Sequence, residues 1–219
     1  MLRHGTGREK SPLGRGLVEK REAIIRGART VFGGDGYTRA SIGAIANAAG
    51  VSTRTIYNHF PGGKAELFRL VVQEGSKEIL RVQLDIVDRW LHKVTDLELD
   101  LIDFGKAWVA PLDTFASHFA LVRQLRAEIE HLPPGLLRAW EEVGPRRVQS
   151  ALADRFQELA DEGRLVMDDP RQAAIHFTYL VSGEIRDRTY DGALPLAADV
   201  TNRLVTVGVQ TFLRGYLPR

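Results

Sequence analysis

Residues 41–60 read SIGAIANAAGVSTRTIYNHF, and the two apolar spacings either side of Gly50 constrain the fold more than any other feature of the chain. Ile42, Ile45, Ala46 and Ala49 fall on one face of a helix, while Val51, Ile56 and Phe60 follow at five and four, as a second short helix requires. Ser41 and Ser52 stand where a hydroxyl caps a helix N-terminus, and Gly50 ends the first helix. Ala48 and Ala49 are small enough for close crossing, and Gly50 permits a sharp turn. Two short helices so joined have the layout of a helix-turn-helix, in which the second helix lies in the major groove of DNA.

The rest of the chain follows helical periods. Leu17, Ile24, Ala28, Val31 and Phe32 predict a helix over 17–32, with the GGDGY run at 33–37 as its break. A turn at Pro61-Gly62-Gly63 precedes a long helix from about Lys64 to Leu91, with Leu67, Phe68, Val71 and Val72 inward. Further helices are expected at 97–110, 114–131, 134–143, 146–162, 170–190 and 196–214, punctuated by Pro111, Pro133-Pro134, Gly144-Pro145, Gly163 and Pro195. Alternation of the strand type is nearly absent, and RLVM at 164–167 is short enough for a loop. An all-α chain is predicted.

The second short helix presents chemistry unlike that of an ordinary solvated face. Thr53, Arg54 and Thr55 occupy its leading turn, where side chains meet base edges. Arginine reaches guanine O6 and N7 together, and threonine offers a hydroxyl and a methyl. Tyr57, Asn58 and His59 lie further along, better placed for phosphate oxygens, as is Lys64 at the next helix start. Ser52 is more a cap than a DNA ligand, and Phe60 reads as core. Tyr57 has two readings, a phosphate contact or a ring that packs with its hydroxyl wet.

SIGAIANAAGVSTRTIYNHF, followed by KAELF, resembles the TetR (tetracycline-repressor-like) transcriptional regulators over about residues 20–70. The shared signature is Thr/Ser-Ile-x-x-Ile-Ala-x-x-Ala-Gly-Val-Ser, then Tyr-x-His/Tyr-Phe and a lysine-bearing turn into a long helix. The resemblance implies backbone contacts at Ser41, Tyr57, His59 and Lys64, and base or near-base contacts at Thr53, Arg54 and Asn58. Two departures stand out. The PGGK turn is one residue longer than usual, with Gly63 extra, and Gly43 stands where some members place a base-reading side chain.

Beyond residue 75 the resemblance is one of architecture, a helical effector and dimerisation domain. Phe104 and Trp108 are four apart, as are Phe115 and Phe119. Each ring by itself reads as core; together some of them read as walls of an apolar pocket, with His118 or His176 as its polar group. Ala174, Phe177, Thr178, Val181 and Ile185 form one candidate dimer seam, and Leu204, Val205, Val207, Gly208 and Phe212 another, with Gly183 and Gly208 permitting close crossing.

Composition excludes several classes. Without cysteine there is no disulfide, zinc-thiolate site or thiol nucleophile. The longest stretch free of Asp, Glu, Lys and Arg, Ala40–Thr53, is 14 residues, too short and polar for a membrane span. The first ten residues lack the apolar core of a secretory signal, so a cytoplasmic location is expected. The six histidines (4, 59, 92, 118, 131 and 176) show no metal-binding spacing, and no phosphate loop or nucleophile elbow occurs. No metal, cofactor or enzymatic activity is expected. The net charge is only +2, yet residues 1–21 hold six Lys/Arg against two Glu, a basic segment read either as a solvated tail or as a DNA-contacting arm.

The expectation is therefore a flexible basic arm (1–16), a helix-turn-helix domain (17–63) and an effector-binding and dimerisation domain (64–219). A homodimer would bind a near-palindromic double-stranded operator, as a repressor released by a small apolar or aromatic effector. A DNA-binding architectural protein without a ligand is the alternative, ahead of a helical-bundle enzyme.

Overall fold

A computed structural model of the chain describes residues 12–218. Within them every regular element is helical, as the periodicity predicts. Helix α1 spans Pro12–Arg39, α2 Ile42–Ala49, α3 Thr53–His59 and α4 Gly63–Leu91. Two differences at α1 have clear causes. The helix begins at Pro12, within the segment expected as a flexible arm, because proline is tolerated in a first turn whose N–H groups have no helical partner. Residues 1–11 lie outside the described residues. The helix also runs through Gly33 and Gly34, and the backbone leaves helical geometry only at Gly36 (φ 76, ψ −179). Gly36 is the glycine that needs its freedom: its conformation is left-handed, and a Cβ there would come within 2.6 Å of the Glu128 carboxylate. Leu17, expected on the inward stripe, is exposed.

Beyond α4 come α5 (Leu97–Val109), α6 (Pro111–Thr114), α7 (Ala116–Ala127), α8 (Leu136–Val143), α9 (Pro145–Asp161), α10 (Pro170–Arg188) and α11 (Ala198–Tyr216). The single helix expected over 114–131 is divided. Phe115 (φ −111, ψ 41) interrupts it at its second residue, leaving Thr114 to the short α6, and a 3-10 turn at Ile129–His131 closes it. Helix α10 stops at Arg188 because Tyr190, Asp191 and Gly192 all take positive φ, a run that cannot continue a right-handed helix.

Two cores result, and α4 serves both. Leu67, Phe68 and Val71 pack with Ile24, Phe32, Ile45, Ile56 and Phe60, and this core is closed by Leu121 and Leu125 from α7. Ile79, Leu80 and Val87 of the same helix pack with Phe104, Phe156, Phe177 and Phe212.

The expected dimer seams need correction. Ala174, Phe177, Val181 and Ile185 of α10, and Val205 and Phe212 of α11, are buried within the chain's own second core. Gly208 does allow close crossing, but between α10 and α11 of one chain, since a Cβ there would run into the Leu180 carbonyl. Gly183 has open space before it. The outward faces of these helices carry different apolar residues, Ile175, Tyr179, Leu180 and Val207, all exposed. Of the expected seams, Val207 alone is exposed and Thr178 and Leu204 are half-buried.

Candidate nucleic-acid interface and buried cavity

Helices α2 and α3 are set by their caps. Ser41 Oγ accepts the Ala44 N–H at 3.1 Å, and the Gly50 N–H closes α2 from a left-handed backbone (φ 65, ψ 33). Ser52 Oγ accepts the Thr55 N–H at 3.1 Å and also pairs with the Thr55 hydroxyl at 2.9 Å. Both serines thus act as caps. The close crossing that Ala48 and Ala49 permit is made with α1, where a Cβ on Gly27 would lie 2.9 Å from the Ala49 nitrogen.

Seven residues cannot hold a helix by themselves, so α3 depends on its buried side. Ile56 is fully buried and Phe60 nearly so, and the Arg21 guanidinium of α1 lies 5.4 Å from the centre of the Phe60 ring. With that side held, Thr53, Arg54, Tyr57 and Asn58 are exposed together, and Ser41 is exposed at the head of α2. Thr55 and His59 are half-buried. These side chains form one polar surface, with base-reading chemistry in the first turn and ring and amide groups behind it. Arg21 was missed in the sequence because its partner is an aromatic ring 39 positions away.

Lys64 differs from the expected phosphate contact. Its ammonium donates to the Ala40 carbonyl at 3.1 Å and the Thr38 carbonyl at 3.3 Å, and lies 4.6 Å from the Tyr37 ring centre. Two of an ammonium's three donors are thereby engaged inside the protein. Gly63, just before Lys64, is buried at φ 59, a left-handed step that starts α4. Glu66 takes the Gly62 N–H at 2.8 Å, so a carboxylate already sits at the start of α4, where free N–H groups were expected to draw phosphate.

One further contact ties this unit to the rest. Glu128, at the end of α7, accepts the Tyr37 N–H at 2.6 Å and the Thr38 N–H at 3.0 Å, just after the Gly36 break. These are charge-assisted bonds to the stretch between the Gly36 break and the start of α2.

Helices α5 and α7 to α10 line a cavity of about 170 Å³. Trp108 of α5, His118 and Phe119 of α7, Trp140 of α8 and Gln149 of α9 line it. Three of the six residues expected at such a site are therefore brought together: Trp108, His118 and Phe119. The other three are not. Phe104 is fully buried in the second core, its ring stacked on Phe177 at 5.4 Å. Phe115 lines a separate recess with Arg29 and Glu78. His176 is at the surface, 2.6 Å from the Tyr216 hydroxyl. Spacing along one helix gave the aromatic pairs, but which member turns inward is decided by α9 and α10, distant in sequence. His118 is neutral near pH 7: burial, with the Arg29 charge adding, lowers its pKa to about 4.

Comparison with known proteins gives two family-model matches. Residues 24–71 match the bacterial regulatory proteins of the tetR family, and residues 100–218 match the C-terminal domain of AefR-like transcriptional repressors. Among characterised proteins, the HTH-type transcriptional regulator LmrA of Bacillus subtilis is 28% identical over 142 residues, 65% of this chain and 68% of that protein. A crystal structure of a TetR-family transcriptional regulator from Mesorhizobium loti is 26% identical, with a TM-score of 0.79 over 92% of this chain and 98% of the other. The flavonoid-responsive regulator FrrA is 29% identical, with a TM-score of 0.69 over 92% of this chain and 99% of its own. No helix among the described residues is long and apolar enough to cross a membrane.

Proposed function

The chain belongs to the TetR family of bacterial transcriptional regulators, and from that premise we propose that it is a homodimeric repressor that leaves a near-palindromic operator when a small aromatic effector fills the cavity. The observation that carries the reading is the exposed α3 surface: Thr53, Arg54, Tyr57 and Asn58 face outward while Ile56 and Phe60 hold the helix down. Arg54 reads a base edge, and Thr53 and Asn58 assist it. Tyr57, His59 and the Ser41 end of α2 set register on the phosphates. Lys64 acts differently, by holding the 38–40 carbonyls so that α2 starts at a fixed angle. Residues 17–63 form the reading unit and residues 64–219 the sensing and pairing unit, with α4 passing between them.

Pairing uses the outward face of α10 and α11, where Ile175, Tyr179, Leu180 and Val207 would otherwise remain in water. Two-fold symmetry then puts the two α3 helices about one DNA turn (~34 Å) apart or slightly more. The flavonoid-responsive relative supports an aromatic effector, as do the tryptophans of the cavity wall. Release needs only that the effector binds the two dimer conformations unequally, by roughly 1–3 kcal/mol.

The test is selection of genomic fragments with the purified protein, followed by gel retardation on the recovered consensus. A palindromic consensus bound by one dimer is expected. Recovery of fragments with no shared sequence, or of single half-sites bound by one chain, would overturn the reading.

A further inference from the structure

The hydrogen bonds around Gln149 leave one atom uncommitted. Thr178 Oγ1 donates its proton to the Ala174 carbonyl at 2.9 Å. The 3.2 Å contact between Thr178 Oγ1 and Gln149 Nε2 is therefore donated by the amide, which fixes the amide's orientation. Oε1 is then purely an acceptor, it is buried, and it has no partner among the described residues. Neighbouring hydroxyls of the cavity have no proton to offer. Ser182 Oγ donates to the Thr178 carbonyl and Ser76 Oγ to the Val72 carbonyl, each at 2.7 Å.

Charge is arranged the opposite way, with nothing ionised held free in the interior. Arg126 and Arg186 border the cavity and share one carboxylate, Asp191, which takes Arg126 Nη1 at 3.2 Å and Arg186 Nε at 2.6 Å, so one positive charge is left over at the rim, where Arg126 is half exposed to water. Among the described residues no carboxylate borders the cavity. His118 Nδ1 is also buried without a partner among the described residues, but it lies beside Gly75, where a Cβ would be 2.9 Å from it, and Gly75 borders the neighbouring recess and not this cavity. A carboxylate on the ring would give up water for a wall that carries no charge of its own, the surplus arginine charge being reachable only at the rim. Volume limits size. A cavity of ~150 Å³ accepts benzene, so about 170 Å³ suits one ring with a short substituent.

We propose that this cavity takes a compact, uncharged aromatic compound that donates a hydrogen bond, from a phenolic hydroxyl or a ring-borne N–H, to Gln149 Oε1. The inference rests on reading the cavity as the effector site and specifies the chemistry that site selects. Trp108, Phe119 and Trp140 contact the ring, and Gln149 is the specificity-determining residue that separates a donor from its alkylated analogue.

Full-length protein is titrated with 4-propylphenol, its methyl ether 4-propylanisole, and 4-propylbenzoate at neutral pH, followed by tryptophan fluorescence and calorimetry. The phenol is expected to bind about tenfold or more tighter than either analogue, the scale of one buried hydrogen bond. In Gln149→Leu the phenol falls to within about twofold of the ether, whose own affinity holds. Gln149→Met, closer in shape, serves if the leucine variant misfolds, and the phenol–ether comparison on the unaltered protein needs no variant. Equal binding of phenol and ether, discrimination that survives in Gln149→Leu, tightest binding of the benzoate through the arginine rim, or binding of none of the three would each overturn the proposal. DNA release is assayed separately. A phenol that binds as described yet frees no operator would remove the sensor reading and leave the ligand class standing.

Discussion

Arg54 is exposed and makes none of the contacts that hold α3 in place, so its replacement separates recognition from stability. Arg54→Ala is expected to cost on the order of 1–3 kcal/mol of operator affinity and to relax preference at one base pair, with the melting temperature unchanged. Quantitative retardation on single-base operator variants measures this, and an unaltered preference would remove Arg54 from base reading. His118 makes a prediction of the other kind. Its folded pKa of about 4 lies below the ordinary 6.5, because burial and the Arg29 charge disfavour the cation. The unfolded chain therefore binds more protons between those values, and stability is lost as pH falls from 6.5 towards 4. Glu78, 3.8 Å from Arg29, offsets part of that charge. The loss approaches ~3 kcal/mol at the acid end. Thermal melts from pH 7.5 to 4.5 check it: the slope should flatten in His118→Asn.

At the scale of elements, crossings and caps do the holding. A Cβ on Gly208 has no room against the Leu180 carbonyl, so Gly208→Ala should separate α10 from α11 and destabilise by roughly 1–3 kcal/mol. Chemical denaturation checks this, with Gly183→Ala, which faces open space, as the neutral control. Glu128→Gln should loosen the two bonds to the Tyr37 and Thr38 N–H groups, at a cost of about 1–2 kcal/mol. Faster hydrogen exchange at residues 37–41, ahead of any change in global melting, is the expected signature. Elements were largely legible in the sequence, for a physical reason. The caps at Ser41 and Ser52, the Gly50 stop and the apolar stripe of α4 are local, and local chemistry decides them. The course of α1 past Gly33 was not legible, because Gly36 takes its left-handed step where Glu128 approaches, 92 positions away.

Across the whole molecule, the same helices α10 and α11 have an inner and an outer apolar face, and only one can be assigned from spacing. The sequence pattern favoured Phe177, Val181 and Phe212, the larger and more regular set, which the chain's own core takes. What remains outside is smaller: Ile175, Tyr179, Leu180 and Val207. Tyr179→Asp combined with Val207→Asp is expected to leave a folded monomer by sedimentation and to weaken operator binding roughly a hundredfold or more, since one reading unit then binds without its linked partner. A variant that stays dimeric would move the pairing surface elsewhere. Cavity residues were half legible for a similar reason, as the wall opposite Trp108 and Phe119 comes from α9 and α10, distant in sequence. Helix α7 adds a consequence of its own. It connects His118 and Phe119 in the cavity wall to Glu128, just past its last residue, and so to the grip on residues 37 and 38. A guest that slid this rod along its axis would tug on the hinge before α2, and occupancy and the pitch of the reading head would then be two measures of one displacement.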